Sequence, residues 1–81
     1  MDLLKELRLR QELYVNKREE LYSQETCMEV RECIVYIEQA LFMLSDKIDE
    51  VVYEKTPFFS NNLNNDKDFK WFDDTFSWLL D

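Results

Sequence analysis

Residues 27–51, CMEVRECIVYIEQALFMLSDKIDEV, decide the fold. Within them Cys27, Val30, Ile34, Ile37, Leu41, Leu44, Ile48 and Val51 recur at alternating spacings of three and four residues through four heptads, and none is polar. That period belongs to one face of an α-helix. It predicts a long amphipathic helix, with Val30, Ile34, Ile37, Leu41, Leu44, Ile48 and Val51 as a seam for association with a second copy. A further set, Val35, Tyr36, Phe42 and Met43, makes the middle of the helix apolar almost all round, as in a helix covered on several sides.

Upstream, residues 2–22 are rich in Leu, Glu, Lys, Arg and Gln and contain no helix breaker, which predicts a first helix with Asp2 as N-cap. Its apolar face is thin. Leu3, Leu7, Tyr14 and Leu21 fall close to one line with Leu4 and Leu13 beside it, while Arg10 and Lys17 stand where a coiled coil would place apolar side chains. The five acids and five bases between residues 1 and 24 cancel, and pairs such as Glu6 and Arg10 are spaced to meet across one turn. Ser23–Thr26 is the expected connection, because Thr26-Cys27-Met28-Glu29 has the form of a capping box. The line Leu7, Tyr14, Leu21 also runs on to Met28, Val35 and Phe42, which is not the main stripe of the next segment. The competing arrangement is one unbroken helix over 2–55.

Pro57 is expected to end the second helix, about 26–55, and the Asn-rich stretch Ser60–Asn65 to form a loop over 56–65 whose start Phe58 and Phe59 anchor. Residues 66–80 then read as a short helix capped by Asn65 or Asp66. It carries Phe69, Phe72, Phe76 and Leu79 on one side and Trp71 and Trp78 on another. The second helix would be about 45 Å long against about 30 Å for the first, which cannot cover it alone. The fold predicted is all-α: an antiparallel helical hairpin with a long central helix, plus a short C-terminal aromatic helix, completed as a dimeric helical bundle.

A chain of 81 residues allows one domain at most and buries too little surface to be generously stable alone, so self-association or a partner is expected. With 18 acids and 10 bases the net charge is −8, which repels nucleic acid and anionic membrane and favours a basic protein surface. Direct nucleic-acid binding and membrane association are therefore not expected. Cys27 and Cys33 lie about 9 Å apart along a helix axis and point to different sides, so they read as reduced thiols. The N-terminal Met-Asp-Leu-Leu-Lys-Glu puts charges where a signal peptide needs an apolar core, and a cytoplasmic setting is expected.

There is no His and no Gly. Their absence removes the commonest general base, the Ser-His and Cys-His nucleophile arrangements and Gly-built phosphate loops. Neither a metal nor a cofactor is expected. Carboxylates are the one catalytic resource left. Glu29-x-x-Glu32 followed by Asp46-x-x-Asp49 resembles the paired acidic motifs of helical nucleoside triphosphate pyrophosphohydrolases, over those four positions and with a departure at Asp46. The resemblance implies magnesium held between the pairs. On one continuous helix, however, the 14 residues between Glu32 and Asp46 separate them by about 21 Å.

The expected function is non-enzymatic binding of a basic partner protein, in the manner of a small viral or phage-type inhibitor or adaptor, with a coiled-coil scaffold as the alternative. The surface expected to carry it has two parts. One is the C-terminal segment, with Phe69, Trp71, Phe72, Asp73, Asp74, Phe76, Trp78 and Leu79, where Phe72, Phe76 and Leu79 have the spacing of groove-filling anchors. That segment resembles acidic-aromatic activation or clamp-docking peptides in general style; alternatively it folds back over the second helix. The other part is the acidic end of the second helix, Asp46, Asp49, Glu50 and Glu54.

Overall fold

The structure, a computed structural model, describes residues 2–56 and 63–81. It contains α1 (Leu3–Tyr22), α2 (Met28–Tyr53), α3 (Asp66–Phe76) and a closing 3₁₀ turn (Ser77–Leu80), with no strand among the described residues. Helices α1 and α2 pack as a hairpin and the C-terminal aromatic segment lies against them, so the predicted helical hairpin with a third aromatic helix is the observed architecture. Its longest dimension, 39 Å, equals the length of a 26-residue helix, about 39 Å at 1.5 Å per residue.

Helix α1 begins where the Asp2 carboxylate accepts the Lys5 backbone N–H at 3.2 Å. Such a cap is worth about 1 kcal/mol. It ends at Ser23, whose Oγ and backbone N–H both donate to the carbonyl of Glu20. This local competition for the last carbonyls separates α1 from α2 and rules out the unbroken helix. The anticipated capping box does not form: Cys27, not Thr26, is the N-cap of α2, and it makes no side-chain capping bond.

The other end of α2 differs from expectation as well. Glu54 terminates the helix in the left-handed conformation, φ 56°, with the Glu54 N–H returning to Glu50 and the Lys55 N–H to Asp49. This left-handed stop, closed by the Glu54 N–H on the Glu50 carbonyl, precedes Pro57, which, with Phe58, Phe59 and Ser60 to Asn62, lies outside the described residues. Glycine is the usual residue at such a position, and the chain has none. Glu54→Gly is accordingly expected to raise stability by about 0.5–1 kcal/mol, read as a higher thermal midpoint.

The core joins all three helices: Leu7, Tyr14 and Leu21 from α1, Ile37, Ala40, Leu41, Leu44 and Ile48 from α2, Leu63, Phe69, Phe72 and Phe76 from α3 and its approach, and Leu79 from the closing turn. The thin line of α1 is thus sufficient, because the aromatic segment supplies the rest of the cover. Four of the seven residues expected to mediate self-association, Ile37, Leu41, Leu44 and Ile48, are buried within one chain, Val30 and Ile34 pack partly against them, and Val51 is exposed. The heptad seam serves the chain's own core, which corrects that expectation. The C-terminal helix also stops earlier than predicted, tightening into the 3₁₀ turn after Phe76 and so turning Leu79 inward.

Tyr14 is 1% exposed and meets Phe72 edge-on, with ring centroids 5.7 Å apart. Its hydroxyl has no hydrogen-bond partner among the described residues. Burial first, and the Asp73 carboxylate second, push its pKa up to about 12. Tyr14→Phe keeps the ring and removes the unpartnered hydroxyl, so stability at pH 7 should rise by about 1 kcal/mol. The sign with pH follows from linkage. A folded pKa above the ordinary 10 leaves stability intact below pH 10 and lowers it as pH climbs toward 12. Urea melts of the Phe variant should lack Tyr14's share of that alkaline loss.

Candidate functional site

Helix α2 has two apolar faces, and only one is spent on the core. On the outward face Met28, Val35 and Phe42, seven residues apart, are 71%, 55% and 48% exposed. They continue the line of Leu7, Tyr14 and Leu21, which is buried on α1. The break at Ser23–Cys27 reverses the chain, so one stripe of sequence becomes core before the turn and surface after it. Beside Val35 and Phe42 runs an open groove of about 520 Å³, lined by Ile34, Val35, Glu38, Gln39, Phe42, Met43 and Phe76.

Two tryptophans border this region. Trp78 stands edge-on to Tyr36 at 5.8 Å and donates its indole N–H to the Thr75 carbonyl at 2.8 Å, which holds an exposed ring in one orientation. Trp71 leans on Phe76 at 6.4 Å and is also exposed. These two are the members of the expected C-terminal binding set whose rings remain on the surface. Phe69, Phe72, Phe76 and Leu79, expected to face a partner, are instead buried, because they cover α1 and α2.

The expected acidic residues are also partly engaged within the chain. Asp73 accepts two bonds from Arg10, Nε at 2.9 Å and Nη2 at 2.8 Å, and Asp74 pairs with Lys70 at 3.1 Å. Glu50 pairs at 3.2 Å with Lys47, a buried lysine whose Nζ also donates to Asn64 Oδ1 at 2.6 Å. Asp46 and Asp49 are half-buried, and Glu54 is exposed at the helix stop. Within the groove lining the one carboxylate is Glu38. It receives Arg18 Nη1 at 3.3 Å and the Tyr22 hydroxyl at 3.1 Å, and that hydrogen bond raises the Tyr22 pKa.

The paired acids Glu29/Glu32 and Asp46/Asp49 all lie on the single helix α2, which runs without interruption from Met28 to Tyr53. They stay about 21 Å apart, too far to share a metal. No group of three or more His, Cys, Asp or Glu among the described residues is placed to hold a metal ion, and no helix of the described residues is long and apolar enough to cross a membrane.

The second apolar set on α2 is visible in the sequence, where it marks a helix covered on several sides and no particular site. The available signal was the mismatch between one thin helix and a middle segment apolar on two sides. No protein-family model, curated protein or solved structure matches the chain.

Proposed function

We propose that the protein acts by binding another protein through the outward face of α2, with no chemistry of its own. The observation that carries this reading is the exposed apolar surface of α2, where Val35 and Phe42 line the groove, Met28 and Tyr36 stand beside Val35, and Trp78 meets Tyr36. While thirteen hydrophobic side chains among the described residues are buried in the core, these stay at the surface. Contiguous exposed apolar patches mark interaction sites, and aromatic residues and Met are enriched at interface centres. Rings already held in place, as Trp78 is, lose little freedom on binding.

Beyond the groove the helix ends in Asp49, Glu50 and Glu54, which with the net charge of −8 favour a basic protein over nucleic acid or anionic lipid. Such a module works as an adaptor or inhibitor by occupying its partner's surface. An intracellular setting, where Cys27 and Cys33 stay reduced, fits this reading.

Photo-crosslinking tests it. A benzoylphenylalanine placed at Val35 or Phe42, in cells producing the protein, is expected to form discrete protein adducts, whereas the same probe at exposed Leu9 on α1 is not. Absence of adducts from both α2 positions, or adducts from Leu9 alone, would contradict the assignment.

A further inference from the structure

The first half of α2 carries anionic and apolar surface side by side. A hollow of about 410 Å³ opens over Met28, Glu32, Val35 and Tyr36, and a second, of about 370 Å³, is bordered by Glu29, Trp78 and Asp81. The edge-on contact of Tyr36 with Trp78 joins the two. At about 100° per residue, Glu32, Tyr36 and Glu29 fall within about 60° of one another, so both carboxylates share a strip of α2 with the ring pair. Glu29, Glu32 and Asp81 are exposed, and their side chains make no hydrogen bond or ion pair among the described residues. The neighbouring cations leave them so. Lys17, at the second hollow, pairs with Glu20 at 3.3 Å, and Arg31 projects about 100° from Glu32, on the far side of Met28 and Val35.

We propose that the occupant of this part of the face is a basic amphipathic segment of a partner protein, whose apolar side chains cover Met28 and Val35 and whose lysine or arginine meets Glu29 and Glu32 beside the Tyr36 and Trp78 rings. The inference rests on the outward face of α2 being the binding surface and names the chemistry of what binds there.

Charge complementarity selects that occupant. An uncharged apolar segment would cover Met28 and Val35 but strip water from nearby carboxylates without replacing it, which is costly. A second copy of this chain, with a net charge of −8 and the same strip of glutamates, would set like charges together. A cation satisfies the carboxylates and is also attracted to the aromatic ring faces. The indole of Trp78 is already held by its bond to the Thr75 carbonyl, so it loses little freedom on contact. Glu29, in the first turn of α2, also favours the positive end of the helix dipole. Glu32, a turn later, has no such task.

Fluorescence anisotropy of the purified full chain with a labelled leucine-lysine amphipathic peptide tests the proposal, with a leucine-glutamate peptide of equal length for comparison. The leucine-lysine peptide is expected to bind and the leucine-glutamate peptide not. Glu29→Gln with Glu32→Gln should weaken binding by about tenfold or more. Glu12→Gln with Glu19→Gln, which removes the same charge from exposed positions on α1, should change it by less than about twofold. Both double variants should keep the helical circular dichroism. Trp71→Phe leaves Trp78 as the one tryptophan of the chain, and its emission should shift when the leucine-lysine peptide is added. No binding of that peptide, equal binding of the two peptides, or equal weakening in the two double variants overturns the proposal. A Val35 crosslink joining two copies of the chain overturns it too. If any of the peptide results overturns it while Val35 still crosslinks to another protein, the outward face of α2 stands as the binding surface and the basic occupant is excluded.

Discussion

Replacing Phe72 with alanine is expected to cost about 3–5 kcal/mol and to leave much of the protein unfolded at physiological temperature. Phe72 is fully buried, edge-on to Tyr14 of α1 and tilted against Phe76 at 4.9 Å. Truncating it opens a cavity where α3 meets α1, and the remaining rings cannot all close in on it. A chain of 81 residues has roughly 4–12 kcal/mol in total at the usual 0.05–0.15 kcal/mol per residue, so one such loss takes a large share. The adjacent Trp71 gives the contrast. It is 45% exposed, and Trp71→Ala should cost under about 1 kcal/mol. Urea melts followed by far-ultraviolet circular dichroism measure both, and equal losses would mean that the aromatic helix does not dock by its Phe69–Phe72–Phe76 side.

The second large effect is expected at Arg10. Its guanidinium makes a two-pronged contact with Asp73, bonds to Glu6 through Nη1 at 2.8 Å and lies 4.3 Å over the Phe69 ring. One side chain of α1 thereby grips α3 by charge, geometry and stacking together. Arg10→Met should cost about 2 kcal/mol, below the 3–5 kcal/mol of a broken buried pair, because the Asp73 and Glu6 side chains are 44% and 37% exposed and regain water. Arg10→Lys should recover little, since an ammonium cannot present two parallel N–H groups to one carboxylate. The hydrogen bond to Asp73 raises the Arg10 pKa above the ordinary arginine range. That contribution is present throughout the pH range in which a free arginine is charged and is lost only in stronger alkali, so Arg10 itself adds no pH dependence near neutrality. A thermal-melt comparison of the three proteins reads these differences.

Arg10 also shows what was legible in the sequence and what was not. The α2 stripe and the line of Leu7, Tyr14 and Leu21 announce their helices, because a 3.6-residue period is a local property. Arg10 interrupts the α1 line, and its charge reads locally as a defect in the seam. Its partner, Asp73, is 63 residues away, so the reason for a cation there becomes visible only when α3 is in place. The same holds for Phe69, Phe72, Phe76 and Leu79. Their spacing suits a foreign groove and the chain's own core equally, and the choice depends on how much of α2 remains for α1 to cover. Conversely, the excess of apolar residues at the middle of α2 was readable. The stripe expected to associate with another copy went inward, and the secondary set, Val35, Phe42 and Met43, came to border the candidate site.

The claim at the centre of this account is that α2 is covered on one side by its own chain and on the other by a second protein surface. Carbene footprinting with residue-level mass spectrometry, comparing dilute purified protein with the protein inside the cells that produce it, tests both halves at once. Phe69 and Phe72 should resist labelling in both settings, whereas Val35 and Phe42 should label readily when dilute and become protected in the cell. Equal labelling of Val35 and Phe42 in the two settings, or ready labelling of Phe72 in the dilute protein, would contradict it.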